Sequence, residues 1–207
     1  MNDQRPVLII FAGPNGSGKT CFASAAYAHS DNLPPLYINA DSIAKALSLG
    51  AYEAAVQAEK RREYALSIGQ SFVMETVMST PKKVELMREA KKRGYYVRLE
   101  YVTTRSPAIN VERVRCRVSA GGHDVPEEKV ISRYERSMRL LPEAARIADD
   151  AFIYDNSWTE PVCLAEKSTD GLWRVFPQGS PGYWTRRRIE DLLHLSDGEL
   201  SEIDGRG

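Results

Sequence analysis

Cysteine is scarce. Cys21, Cys116 and Cys163 are the only three in 207 residues, an odd number, scattered and without a C-x-x-C pair. That excludes a disulfide framework or a zinc knuckle and points to free thiols in a reducing compartment. An excess of charge of either sign is missing too, since 28 lysines and arginines balance 28 aspartates and glutamates. With no global basic field, neither nucleic acid nor an anionic membrane is expected as a partner. Local runs such as Lys91-Lys92-Arg93 and Arg186-Arg187-Arg188 read as solvated helix faces. Long hydrophobic runs are absent as well. The N-terminal Val7-Leu8-Ile9-Ile10-Phe11-Ala12 is too short for a bilayer and lacks the basic flank and cleavage site of a signal peptide. A cytoplasmic protein is expected, with enough apolar residues (43%) for one sizeable core.

What is present begins right after that apolar run. Gly13-Pro14-Asn15-Gly16-Ser17-Gly18-Lys19-Thr20 has the spacing G-x-x-x-x-G-K-T of a phosphate-binding loop, with a strand pattern before it and a helix pattern after it. Glycines let successive N–H groups converge on one anion, and the helix starting near Gly18 adds the positive end of its dipole. Lys19 is expected between the β- and γ-phosphates of a nucleoside triphosphate, and the Thr20 hydroxyl on Mg²⁺.

Further along, strand patterns alternate with helix patterns. Leu36–Asn39, Ser71–Thr76, Tyr95–Val102 and Ala151–Asp155 read as strands after the first. Helices are expected after Asn39-Ala40-Asp41-Ser42 with Asp41 or Ser42 as N-cap, over 51–67, from Thr80-Pro81 to Gly94, and from Ser106-Pro107 through Val118. A last long helix opens at Asp124–Glu128 and is expected to break at Pro142. This order predicts an α/β three-layer sandwich of the P-loop NTPase type, kinase-like, with a mainly parallel sheet of about five strands. Residues 1–157 are read as the core, with a lid over about 105–135. Residues 158–207 are read as an extension: a hairpin of 161–166 and 172–176, a short helix near 188–195 and a polar, frayed last dozen.

Ligands of such sheets sit beyond the carboxyl ends of the strands. Four polar clusters fall there: Gly13 to Thr20, Asn39 to Asp41, Glu75-Thr76 and the loop around Arg105. Asp41 can accept a hydrogen bond from an attacking hydroxyl and take its proton, or simply cap a helix. Glu75 can hold the metal, its water or the acceptor's hydroxyls. The arginine-dense run 111–126 has a hinge-like Gly121-Gly122 pair and precedes Arg133 and Arg136, as a lid would. Arg113 and Arg117, four apart, are favoured over Arg115 as charge stabilisers. His123 is a further candidate for substrate contact.

Together, the glycine loop, Asn39-Ala40-Asp41, Glu75-Thr76, Gly94-Tyr95-Tyr96-Val97 and the run from Arg117 to Arg133-Tyr134 resemble the zeta toxin family over roughly residues 5–157. The stretch Gly121-Gly122-His123-Asp124-Val125-Pro126 is the most specific part. The resemblance implies a kinase that uses ATP and Mg²⁺ to phosphorylate the 3'-hydroxyl of UDP-N-acetylglucosamine. It implies Lys19 as phosphate clamp, Asp41 as base, Glu75 and Thr76 on the acceptor, and arginines among Arg113, Arg117 and Arg133 as charge stabilisers; Asn39 is a further substrate-contact candidate beside His123. It also implies an antitoxin as protein partner.

Two other classes stay open: a P-loop kinase for a different hydroxyl acceptor (metabolite, antibiotic or nucleotide), and a nucleotide-dependent switch without useful turnover. No N-K-x-D base-reading motif supports the switch. Leu66-Ser67-Ile68-Gly69-Gln70 echoes a transporter-ATPase signature but comes too soon after Lys19 and runs into a strand, so it reads as a helix end.

Overall fold

The computed structural model describes residues 5–29, 32–122, 124–176 and 182–201. Its centre is one seven-stranded sheet in the order β2-β3-β1-β4-β5-β6-β7. The strands are β1 (Val7–Ala12), β2 (Tyr37–Ile38), β3 (Phe72–Thr76), β4 (Tyr96–Thr103), β5 (Asp150–Asp155), β6 (Val162–Lys167) and β7 (Trp173–Val175). The first five are mutually parallel and the last two antiparallel. Seven strands rather than five form because the 162–175 hairpin, turned at Asp170-Gly171, continues the ladder from β5. The helices are α1 (Lys19–His29), α2 (Ala40–Leu47), α3 (Ala51–Ser67), α4 (Lys82–Lys92), α5 (Pro107–Ser119), α6 (Glu127–Ile147) and α7 (Arg186–Leu193).

Period-two alternation explains the layers. In β1, Leu8, Ile10 and Ala12 face a large core that includes Ile43 of α2, Ala58 of α3, Met87 of α4, Leu141 of α6 and Ile189 of α7. Ile9 and Phe11 face the other way, against Ala23 and Phe22 of α1. Parallel strands buried on both faces read as continuous apolar runs, as β1 and β3 do.

Three local expectations are corrected. The N-cap of α2 is Asn39, whose Oδ1 accepts from the N–H groups of Asp41 at 2.8 Å and Ser42 at 3.2 Å. Asp41 therefore stands exposed in the first turn with its carboxylate outside the capping bond. α6 runs unbroken through Pro142, where Leu141, Ala144 and Ala145 are buried against the sheet and α4. That packing outweighs the backbone bond that proline cannot make. Within the last dozen residues, Asp197–Glu199 forms a 3₁₀ turn and Leu200 bridges to Trp173; residues 202–207 lie outside those described. Among the described residues no helix is long and apolar enough to cross a membrane.

The hairpin is pinned to the core by Lys167, which is only 8% exposed. Its Nζ donates to the carbonyls of Ala145 at 2.9 Å, Arg146 at 3.0 Å and Ala148 at 2.6 Å, closing the carboxyl end of α6. Lys167→Met leaves two buried carbonyls and one partly buried carbonyl without this donor. It should lower stability by about 2 kcal/mol, read from the midpoint of urea unfolding.

Candidate active site

β1 delivers the glycine loop to the carboxyl edge of the sheet, where neighbours leave no room for side chains. A Cβ on Gly13 (φ +140°) would lie 2.0 Å from the Val102 carbonyl oxygen, and one on Gly16 (φ +76°) 2.5 Å from that of Asn110. On Gly18 (φ +94°) it would meet the Asn156 amide nitrogen at 2.3 Å. The loop is gripped by polar side chains too. Asn110 Nδ2 donates to the Asn15 carbonyl at 2.6 Å, and Asn156 Nδ2 to the Ser17 carbonyl at 2.8 Å. In a trans peptide the carbonyl and the following N–H point opposite ways. Holding these carbonyls thus turns the amides of Gly16 and Gly18 away from the two asparagines. Ser17 is fully buried, and its Oγ has no partner among the described residues. A cradle of this kind, ending at the N-terminus of the eleven-residue α1, suits a phosphate chain.

The neighbouring strands β2 and β3 bring acidic and hydroxyl groups alongside. Glu75 accepts from the Thr20 hydroxyl at 2.9 Å through Oε2 and from the Tyr37 hydroxyl through Oε1. Asn39 Nδ2 reaches the Tyr37 oxygen at 3.4 Å. Burial, reinforced by the bond to Glu75, raises the Tyr37 pKa and keeps the phenol protonated. Thr76 binds the loop through its carbonyl, which accepts from Gly13 N–H at 3.2 Å; its hydroxyl accepts from Met78 N–H at 3.0 Å.

Lys19 ties these groups together. Its Nζ donates to the Pro14 carbonyl at 2.7 Å. Burial pulls its pKa down to about 8, while the charges of Glu75 and Asp41 oppose the fall and that of Arg117 adds to it. One ammonium therefore senses Glu75, Asp41 and Arg117 at once.

The arginines sort by what they touch. Arg117 ends α5, and Gly122 packs on it so closely that a Cβ there would lie 2.6 Å from Arg117 Cγ. Arg133 of α6 donates to Asn15 Oδ1 at 3.3 Å, at the rim of the loop. Arg113 instead donates to the backbone carbonyls of Asn156 at 2.6 Å and Trp158 at 3.3 Å. Arg115 pairs with Glu127 at 2.5 Å and Glu112 at 3.6 Å on the surface. Arg136 bonds within its own helix to Ser132. His123 lies outside the described residues. Sequence reasoning overlooked Tyr37, Asn110 and Asn156. A buried asparagine on the apolar face of α5 beside Val111 and Val114 was the one available signal for Asn110.

Strand, glycine loop and helix at the centre of a parallel sheet, with a lysine among acidic and basic side chains, define a P-loop NTPase fold of the kinase type. The chain belongs to the zeta toxin family, whose profile matches residues 1–162, and it is therefore a P-loop kinase, a phosphotransferase. An uncharacterized protein of Haemophilus influenzae is 30% identical over 131 residues, 61% of this chain and 91% of that protein. Among solved structures, the AvrRxo1-ORF1:-ORF2 complex with ATP superposes with a TM-score of 0.69 at 16% identity, over 100% of this chain and 67% of that one. The PezAT toxin–antitoxin system of Streptococcus pneumoniae gives 0.56 at 15% identity, over 96% and 83%. At such identities these two likenesses establish the fold.

The lysine's position yields a pH prediction. A phosphate chain favours the charged ammonium, and Lys19 in the empty site loses that charge above pH about 8. Affinity for ATP, whose single terminal phosphate is already ionised there, should fall above that pH by up to about tenfold per unit, because binding then takes up one proton. Titration calorimetry of the wild type and Lys19→Met checks this: the variant should bind more weakly at neutral pH and lose the slope.

Proposed function

We propose that this protein transfers the γ-phosphate of ATP to a hydroxyl of a nucleotide sugar of the UDP-N-acetylglucosamine type. The observation that carries the reading is a glycine loop with no room for side chains, with Lys19 on its Pro14 carbonyl and Glu75 on the hydroxyl of the adjoining Thr20. The AvrRxo1-ORF1:-ORF2 complex solved with ATP, on the same fold, supports ATP as donor.

In this reading the amides of the Gly13-Pro14-Asn15-Gly16-Ser17-Gly18 loop hold the phosphate chain and Lys19 bridges its outer phosphates. The Thr20 hydroxyl, with Glu75 next to it, offers the hard oxygen donors that suit Mg²⁺ bound jointly with phosphates and water. When bound, that ion supplies charge neutralisation on the transferring group. Asp41, exposed and outside the cap, accepts the acceptor hydroxyl's hydrogen bond and takes the proton as the new P–O bond forms. Asn39, Glu75 and Thr76 line the acceptor side. Arg117 and Arg133 stabilise charge on the equatorial oxygens, and Arg113 holds the loop after β5. PezAT, named as a toxin–antitoxin system, supports an antitoxin as the partner class.

Mass spectrometry after incubation with ATP, Mg²⁺ and UDP-N-acetylglucosamine should show the sugar nucleotide carrying one added phosphoryl group. ADP release only with other hydroxyl compounds in a panel would replace the acceptor class. Asp41→Asn should lower turnover about 10² to 10⁴-fold with ATP affinity retained; unchanged turnover would remove Asp41 as base.

A further inference from the structure

Resting on ATP as donor, we infer that Trp158 and Arg105 form the nucleobase subsite. Two of the three tryptophans are buried, Trp173 at 2% exposure and Trp184 at 5%, whereas Trp158 is 51% exposed. Yet it is held in place. The Arg105 guanidinium carbon lies 4.7 Å from the centre of the indole, Arg113 takes the Trp158 carbonyl, and Ser157 Oγ accepts from Arg105 N–H at 2.8 Å. An immobilised, half-exposed indole backed by a cation is a surface on which a flat heterocycle stacks.

Its place fits the other end of the nucleotide. Trp158 is two residues beyond Asn156, whose amide touches the glycine loop at Ser17 and Gly18, so the chain between them spans at most ~7 Å. The acidic groups that sense Lys19 come from the ends of β2 and β3, on one side of β1 in the sheet order. A triphosphate whose outer end points there must carry its nucleoside over the opposite side, where the loops after β4 and β5 hold Arg105 and Trp158.

The test compares ATP with tripolyphosphate, which has no base, by calorimetry in the presence of Mg²⁺. Wild type should prefer ATP, and Trp158→Ala should lose about tenfold to a hundredfold of ATP affinity while tripolyphosphate binding holds. Trp158→Phe should recover most of the loss. An unchanged ATP affinity in Trp158→Ala would overturn the assignment, as would an equal loss for both ligands, which marks a disturbed glycine loop. A wild type that binds neither ligand would instead sink the phosphate-loop reading itself.

Discussion

The site depends on two asparagine amides, the buried Asn110 and the half-buried Asn156, holding two carbonyls of the glycine loop, Asn110 on Asn15 and Asn156 on Ser17. Each bond adds about 1 kcal/mol net, which is small beside the cost of leaving a buried carbonyl unpaired. Their larger effect is directional, because turning the carbonyls toward the asparagines turns the next amides the other way. The crowding around Gly13, Gly16 and Gly18 serves the same end: backbone from β4 and α5 and the amide of Asn156 occupy the space that side chains would need. The loop is thus preformed before any anion arrives, and binding need not supply the entropy of ordering it.

The charges are arranged around that cradle in opposition. Glu75 and Asp41 keep Lys19 protonated against burial, while Arg117 pushes its proton off. Burial is the largest of these influences, and it brings the lysine's pKa down to about 8. On the proposed reading, a phosphate chain would add several negative charges beside Lys19, Arg117 and Arg133 and leave the acidic side to face an incoming hydroxyl. Arg117 owes its position to the end of α5, where Gly122 packs on its side chain with no room for a Cβ. The glycine pair read from the sequence as a hinge therefore has a packing role at its second member.

Much of the fold was legible because it rests on local signals. The apolar runs of β1, β3 and β4, the Ser106-Pro107 start of α5 and the glycine loop are decided by neighbours in the chain. Errors came where tertiary context decides. Asn39 and Asp41 are both good caps by residue type, and only the backbone shows that Asn39 takes the cap and leaves Asp41 outside it. Pro142 would end an isolated helix, but α6 is buried on both sides of it. The roles of Asn110 and Asn156 were invisible because their bonds span 95 and 139 residues, and no local pattern encodes such a pairing. Arg113 and Arg117, grouped by spacing, have separate surroundings: Arg113 donates to the backbone of the loop after β5, and Gly122 packs on Arg117.

The sheet order explains why these long-range bonds gather at one loop. β1 is central in the parallel part, with β3 on one side and β4 on the other, so its loop touches both halves of the carboxyl edge. Gly13 N–H bonds the Thr76 carbonyl on the acidic side, and Asn15 receives Asn110 and Arg133 from the basic helices. The two halves thus meet through the glycine loop. A change in α5 that removes the Asn110 amide would then act on both halves at once without touching a ligand.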